Sequence, residues 1–405
     1  MTAITKPKKR GPMDLVLISY FSFLVISTPA GILNIAWTYM QGTFEVSIEN
    51  LGALLTASVL GGLITSFASG RVVGKLGVGW TLILATVLHL SGLGVIALSP
   101  TWIVLLVGSF VAGMGSGLVD TGMNTIASER YSTGQMNWMH ACFGIGQTIG
   151  PIIMTFIVVS LNQSWRLGYG LAVALDITLL LILLATRNRW KLGLSTANGA
   201  GTGDEVVPSA PIMKTLAVPM VLMSMAFFFV YAGVEVGAGQ LSNTLFLDGW
   251  GIDQATAGTW VSMYWGAFTI GRILIGLVAD RIANNLIIRL SIIGSVVGAA
   301  LLWLHPSNDI GAIGLLVLGF SQAPIFATVI SDTPLRVRPE HVANAIGFQV
   351  GFASLGIAVL PGLGGILAAR MGAGVIAPFL LVVLVGLFFI YEFIVMRERR
   401  IQVTA

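Results

Sequence analysis

The chain has 405 residues, of which 56% are hydrophobic and only 9% are charged. A soluble domain carries about 25% charged residues, so this composition excludes a globular fold covered by water. The net charge of +4 is small and indicates no nucleic-acid partner. A single cysteine, Cys142, excludes an internal disulfide and a cysteine-based metal site.

Apolar stretches of about 20 residues recur along the whole chain, and each is long enough to cross a bilayer as a helix. The first stretch is too long for a cleaved signal peptide and is followed by no small-residue cleavage site. The sequence predicts an all-α membrane protein with twelve spans, at residues 14–41, 50–70, 79–98, 102–127, 136–160, 167–186, 215–247, 255–279, 286–304, 310–331, 341–368 and 372–396.

Positive charge is concentrated on one side of this topology. The loops of the other side hold only Arg166 and Arg370, and Arg272 lies inside a span. All remaining Lys and Arg residues lie in the tails and in the alternate set of loops. Because such residues are retained in the cytoplasm during insertion, we expect two cytoplasmic termini and a location in the inner (plasma) membrane.

The longest polar stretch, residues 187–214, is predicted to be a cytoplasmic linker between two bundles of six helices. The bundles occupy residues 14–186 and 215–396, with cytoplasmic tails at 1–13 and 397–405. Segments of the two bundles repeat each other, since TSFASGRVVGKLG aligns with GRILIGLVADRIA and FGIGQTIGP aligns with FASLGIAVLP. Parallel repeats of this kind are typical of transporters in which one helical domain rocks against the other around a shared site.

The run GRILIGLVADR resembles the loop motif of the major facilitator superfamily, which follows the second and eighth helices. In this motif glycine allows helices to approach closely, the acid caps a neighbouring helix, and arginine fixes an ion pair that latches one conformation. The copy in the first half has Gly74 at the position of the acid. The predicted latch therefore consists of Gly271, Arg272, Gly276, Asp280 and Arg281.

Four further segments resemble the fucose, galactose and glucose symporter branch of that superfamily: VDTGMN, MNWMHACFGIGQTIGP, YAGVEVGAG and IGFQVGFASLGIAVLPG. The resemblance implies that a sugar or similar polyol crosses the membrane with a cation, usually a proton. In that branch a carboxylate of the fourth helix carries coupling, and VDTGMN places Asp120 at this position. A second coupling acid of the branch aligns here with Asn34, so coupling through two equivalent carboxylates does not carry over.

Asp120 is the first candidate for proton coupling because it lies about two turns inside an apolar helix. Removal from water favours the neutral form of a carboxyl group, so Asp120 could bind and release a proton. Its counterpart in the second half is Ala323. Glu235, beside a glycine-rich stretch, and His140, at a depth similar to that of Asp120, are the other candidates. The alternatives are structural: hydrogen-bonded acids and a histidine at the membrane surface.

Substrate binding is predicted for a set of amide and aromatic side chains, because amides hydrogen-bond hydroxyl groups and rings pack against the apolar face of a sugar. Hydrogen bonding between helices is the alternative for each of them. The set consists of Asn34, Trp37, Asn124, Gln147, Tyr231, Gln240, Tyr264, Trp265 and Gln349. No metal ligands with the usual spacing and no cofactor motif are present in the sequence, and the chain lacks the elements of an enzyme site.

The sequence therefore predicts a monomeric secondary transporter for a small hydrophilic solute, with a sugar as the expected substrate and a proton as the coupling ion. Sodium is the alternative ion. GIGQTIGP also resembles the fifth-helix motif of superfamily antiporters, so a proton-driven exporter of drugs or metabolites is a second hypothesis. A membrane sensor that keeps the same cleft without transport is the third.

Overall fold

The structure is a computed structural model that describes residues 12–47, 50–190 and 210–404, with side chains up to residue 398. The described residues form α-helices with short 3-10 and π turns and contain no β-strand. The predicted N-terminal tail up to residue 11 and the predicted linker from 191 to 209 lie outside the described residues.

The first half contains five continuous helices that cross the membrane six times. Gly77 interrupts the second of them with φ 74° and ψ 164°, a conformation that costs glycine little. Residues 50–76 and 78–98 are therefore two separate crossings. The helices are α1 (Met13–Phe44), α2 (Asn50–Leu98), α3 (Trp102–Arg130), α4 (Thr133–Thr155), which runs into a π turn (Phe156–Ser160), and α5 (Arg166–Thr186).

The second half begins with a short helix and also makes six crossings. One crossing is broken at Ala323 and Pro324, because proline has no N–H for the helical hydrogen bond. The last helix continues into residues that we assigned to the C-terminal tail. The helices are α6 (Ile212–Leu216), α7 (Pro219–Thr244), α8 (Gln254–Val278), α9 (Asn284–Leu304), α10 (Asn308–Gln322), α11 (Ile325–Ser331), α12 (Thr333–Arg336), α13 (Pro339–Met371) and α14 (Ile376–Thr404).

The twelve predicted crossings are confirmed. Eleven helices among the described residues are long and apolar enough to span a membrane, and α2 supplies two of the twelve crossings because Gly77 divides it. The protein is an all-α, multi-pass membrane protein with two halves of six crossings. We call the side that holds the start of α1 and the end of α14 the basic face, because most arginines lie there; Arg166 and Arg370 lie at the opposite face.

Contacts between the halves are formed mainly by α2 against α13 and by α4 against α8. The α2–α13 contact runs through the rings of Phe67, Phe348 and Phe352, with centroids 5.6 and 5.9 Å apart. In the α4–α8 contact, Trp138 Nε1 donates to the Ile273 carbonyl at 3.1 Å. All of these residues lie in the half of their helix nearer the basic face. The two halves are therefore joined at the basic face.

Candidate functional site

A cavity of about 190 Å³ lies between the two halves. Its walls come from α2, α3 and α4 of the first half and from α13 of the second. Serine hydroxyls and one carboxylate among the lining residues can hydrogen-bond a polar solute. The lining residues are Ser58, Val59, Gly62, Ser66, Gly113, Ser116, Gly117, Asp120, Phe143, Val350 and Ser354.

Asp120, the carboxylate of this cavity, is linked by hydrogen bonds to His140. Asn124, one turn along α3, donates its Nδ2 to Asp120 Oδ1 at 2.7 Å and to the Asp120 carbonyl at 3.0 Å. Asn124 Oδ1 lies 3.1 Å from Nε2 of His140 on α4. Because an amide oxygen only accepts, His140 Nε2 must carry the hydrogen. Asn124 and His140 are both buried. A single buried amide therefore connects the Asp120 carboxylate with the His140 imidazole by hydrogen bonds.

Arg272 of α8 crosses from the second half to the first. It is only 8% exposed, and its Nη1 donates to the His140 carbonyl at 3.1 Å. Its Nε donates to the Ala323 carbonyl at 3.3 Å, which is available because the helix breaks at Pro324. The guanidinium also lies over the Phe268 ring, 4.3 Å from its centroid. Arg272 thus contacts main-chain carbonyls deep between the halves, whereas we expected an ion pair in a latch.

Glu235 of α7 belongs to a second buried cluster, close to the first. The Tyr264 hydroxyl lies 2.7 Å from the Glu235 carbonyl and 2.9 Å from Gln322 Oε1. The Tyr231 hydroxyl donates to the Gln322 carbonyl at 3.0 Å and also lies beside the Glu235 carboxylate. Arg272 is near enough to act electrostatically on Glu235, on His140 and on Asp120. The two clusters therefore share one cation.

The remaining members of the predicted substrate set differ in burial. Asn34, Gln147 and Gln240 have exposed side chains. Gln349 is buried and accepts a hydrogen bond from Thr333 at 3.1 Å, which is the alternative that we gave for the amides.

The two tryptophans of the set have different surroundings. The Trp37 ring packs at 6.0 Å against the ring of Trp102 inside the first half, and its buried Nε1 has no partner among the described residues. Trp265 is partly exposed and lies against Gly239, where a Cβ atom would come within 2.8 Å of the indole. Gly239 is therefore needed for this close approach of α7 and α8.

The other residues of the predicted latch lie at the basic face. Asp280 Oδ1 accepts a hydrogen bond from the Gly134 main-chain N–H at 3.0 Å, in the first turn of α4. Gly276 faces Trp138, and a Cβ at Gly271 would come within 2.7 Å of the Ala323 side chain. Arg281 is exposed. An acid of one half thus caps a helix of the other half.

A sequence model describing the Major Facilitator Superfamily matches this chain over residues 19–247 and again over residues 223–402. The chain belongs to the major facilitator superfamily. The two matches together cover most of the sequence, in agreement with two related halves. Membership identifies the protein as a transporter of this superfamily and not as an enzyme.

Curated relatives resemble this chain in sequence, and a solved structure resembles it in fold. The chain is 23% identical over 290 residues to the glucose/mannose transporter GlcP of Bacillus subtilis (strain 168), covering 69% of each chain. It is 21% identical to the fosmidomycin resistance protein of Escherichia coli (strain K12), covering 82% of this chain and 79% of that one. The crystal structure of the E. coli fucose:proton symporter FucP (N162A) superposes with a TM-score of 0.77 at 15% identity, covering 95% of this chain and 99% of that one.

Two buried features of this superfamily member were not among the predicted site residues. Gln322 joins Tyr231 and Tyr264, and its Nε2 has no partner among the described residues. Its position two residues before Pro324 was the available signal, since a helix break leaves polar groups to be satisfied. The second feature is a pair formed by His89 Nδ1 and Asp176 Oδ2 at 2.8 Å. No cluster of three or more potential metal ligands occurs in the part of the chain that the structure describes.

Proposed function

We propose that the protein is a secondary transporter that moves a small hydrophilic solute, a sugar or related polyol, together with protons by alternating access. The observation that carries this proposal is the cavity between the halves, in which the Asp120 carboxylate is linked through Asn124 to His140. Holding a carboxylate inside a membrane helix costs free energy. A role in transport explains this cost better than helix packing does. The sugar relatives GlcP and FucP support the substrate class.

Coupling follows from the charges that meet between the halves. Asp120 and Glu235 are the proton-binding groups of the proposal, and Arg272 is the cation near both. When both acids are ionised, one negative charge is left uncompensated in a medium of low dielectric constant. Uptake of a proton removes that charge, so the empty or loaded protein can reorient with a neutral site. His140 holds the Asn124 amide that donates a hydrogen bond to Asp120, so its part in the scheme is to position this amide.

Alternating access uses the two interfaces at the basic face. With α2 against α13 and α4 against α8, the structure corresponds to a state whose site is closed toward the basic face. If that face is cytoplasmic, as the distribution of arginine suggests, this state accepts solute from outside. Release then requires the two interfaces to separate. We propose a plasma-membrane location, cytoplasmic termini and a monomer as the working unit.

The substrate groups of the proposal fall into an inner and an outer set. Asn124, Tyr231 and Tyr264 lie in the buried clusters around Arg272, and the serine hydroxyls of the cavity lie next to Asp120. The volume of about 190 Å³ is below the ~300–1,000 Å³ typical of pockets for drug-sized ligands. It fits a small solute. The exposed members, Asn34, Trp265, Gln147 and Gln240, remain candidates for contacts during entry or release.

The decisive experiment is transport by reconstituted protein in vesicles with an inwardly directed proton gradient. Asp120→Asn keeps size and hydrogen bonding but cannot ionise, so we expect it to abolish proton-driven accumulation while substrate exchange persists. Asp309→Asn is the matched control, because Asp309 is exposed in the first turn of α10 at the opposite face. Unchanged accumulation by Asp120→Asn, or accumulation driven by sodium alone, would contradict proton coupling.

Export is the competing hypothesis, and the fosmidomycin resistance protein among the relatives favours it. The same vesicles distinguish the two directions. An importer accumulates a labelled sugar when the proton gradient is directed inward. A proton-driven exporter exchanges protons for its substrate, so under the same inward gradient it expels a preloaded lipophilic dye. Dye expulsion without any sugar flux would replace the symport proposal by export, and the absence of both fluxes would favour a sensor.

A further inference from the structure

Arg272 is a buried cation without an acidic partner. Among the described residues, no carboxylate oxygen lies within 4 Å of its guanidinium nitrogens. A buried charge is usually paired, because removing it from water is costly. The Asp120 carboxylate accepts a hydrogen bond from Asn124, and Glu235 lies beside the Tyr231 hydroxyl. The guanidinium is therefore not there to neutralise either acid by direct contact.

The contacts of Arg272 fix the guanidinium and leave one edge of it free. An arginine side chain has five N–H donors, and the structure assigns one through Nε to Ala323 and one through Nη1 to His140. The Phe268 ring covers one face. No hydrogen bond involves Nη2 within the described residues, and Nη2 is not among the polar atoms that are sealed from solvent. The edge formed by Nη1 and Nη2 is thus held in place, and Nη2 is not completely sealed and has no hydrogen-bond partner among the described residues.

We propose that this edge binds the carboxylate of the transported solute, so that the substrate is an acidic sugar, such as a hexuronate or an aldonate. Two parallel N–H groups match the two oxygens of a carboxylate, and this geometry distinguishes an acid from a neutral sugar of the same shape. The inference rests on the proposed transport function and specifies its substrate.

The rest of the site suits the hydroxyl groups of such a solute. Tyr231 and Tyr264 lie near enough to Arg272 to be affected by its charge. Serine hydroxyls line the cavity beside Asp120. Since Asp120 and Glu235 are both near Arg272, an anion is attracted only after these acids have taken up protons. The acids thereby link the entry of the anion to the entry of protons. The ionisable groups facing Arg272 are Asp120, Glu235, His140, Tyr231 and Tyr264.

The test compares matched pairs of labelled solutes in vesicles with an inward proton gradient: glucuronate with glucose, galacturonate with galactose, and gluconate with sorbitol. We expect the acid of at least one pair to be taken up about 10- to 100-fold faster than its neutral partner, the range of a charge-assisted hydrogen-bonded contact. Arg272→Gln should reduce this ratio to near one. Arg370→Gln is the matched control, because Arg370 is exposed at the end of α13, and should leave the ratio unchanged.

Arg272→Lys covers the case in which Arg272→Gln does not fold. It keeps the charge and loses the paired donors, so it should raise the KM for the acid more than the KM for the neutral sugar. An equal change in both KM values would overturn the proposal.

Faster uptake of the neutral member of every pair overturns the acidic substrate and leaves sugar transport intact. Uptake of no member by the wild type overturns both. If nitrate inhibits uptake of the labelled acid as strongly as unlabelled uronate does, the requirement for hydroxyl groups is overturned.

Discussion

The bond between Asp280 and α4 makes a specific prediction about the conformational equilibrium. Asp280 belongs to the second half, and the N–H group that it accepts from, at Gly134, belongs to the first. The α4 terminus has its own cap, because Ser132 and Gln135 bond each other reciprocally. Asp280→Ala should therefore leave α4 folded and remove one hydrogen bond between the halves.

The magnitude follows from the type of contact. Loss of a side-chain acceptor at a helix N-terminus costs about 0.5–2 kcal/mol, and the charge of the acid adds to this only weakly where it is exposed. With RT of about 0.59 kcal/mol, the ratio of the state closed at the basic face to the state open there should fall by about 2- to 30-fold.

Distances between spin labels at the opposite face measure this ratio. Gln163 and Asp309 are exposed there, one in each half, and both can be changed to Cys in a Cys142→Ser background. Opening at the basic face brings the halves together at the opposite face, so Asp280→Ala should increase the population with the shorter distance.

Asp253→Ala is the matched control. Asp253 also accepts hydrogen bonds at a helix start, from the Ala255 and Thr256 main chain at 3.1 Å each, but within one half. Hydrogen bonds from Thr256 hold the pKa of Asp253 below its usual value, so this control residue is charged at neutral pH. A distance distribution that is the same in Asp280→Ala and in the wild type, or that moves equally in the control, would refute the latch.

Two further predictions concern packing. Gly70→Ala should weaken closure at the basic face, because a Cβ there would come within 2.7 Å of the Asn344 main-chain nitrogen. The spin labels at Gln163 and Asp309 should report this change. Gly52→Ala is the control and should have no effect, because Gly52 lies in open space. His89→Leu leaves Asp176 buried without its partner and should lower the free energy of unfolding by about 3–5 kcal/mol. Replacing both residues by Leu should recover most of the stability in thermal denaturation, and a double variant as unstable as the single one would contradict this.

The crossings could be predicted from the sequence because a bilayer imposes a simple rule. Each helix must be about 20 apolar residues long, and polar or glycine-containing segments separate them. The division of α2 at Gly77 fell between two predicted spans for this reason. The break at Pro324 was missed inside a predicted span, because proline within a membrane helix is tolerated when other groups satisfy the freed carbonyls. Here Tyr231 and Arg272 do so.

The site was harder to predict, because it depends on which way each helix faces. In a soluble helix a polar stripe marks the outer face, but a membrane helix is apolar toward the lipid and toward its neighbours. Asn34, Gln147 and Gln240 were therefore chosen by residue type, and their side chains are exposed. Asp120 and His140 could be placed at a similar depth, yet the amide that joins them follows only from the register of α3 against α4.

The two related halves differ at one pair of aligned positions that bears on the proposed coupling of proton uptake to motion. The first half has a carboxylate at Asp120. The second has Ala323, whose main-chain carbonyl holds Arg272. A guanidinium fixed by one half therefore lies in the field of an acid fixed by the other, and it also bonds the His140 carbonyl across the interface. We infer that protonation of Asp120 changes the attraction between the halves themselves, so a single proton can alter both the affinity of the site and the balance between its two open states.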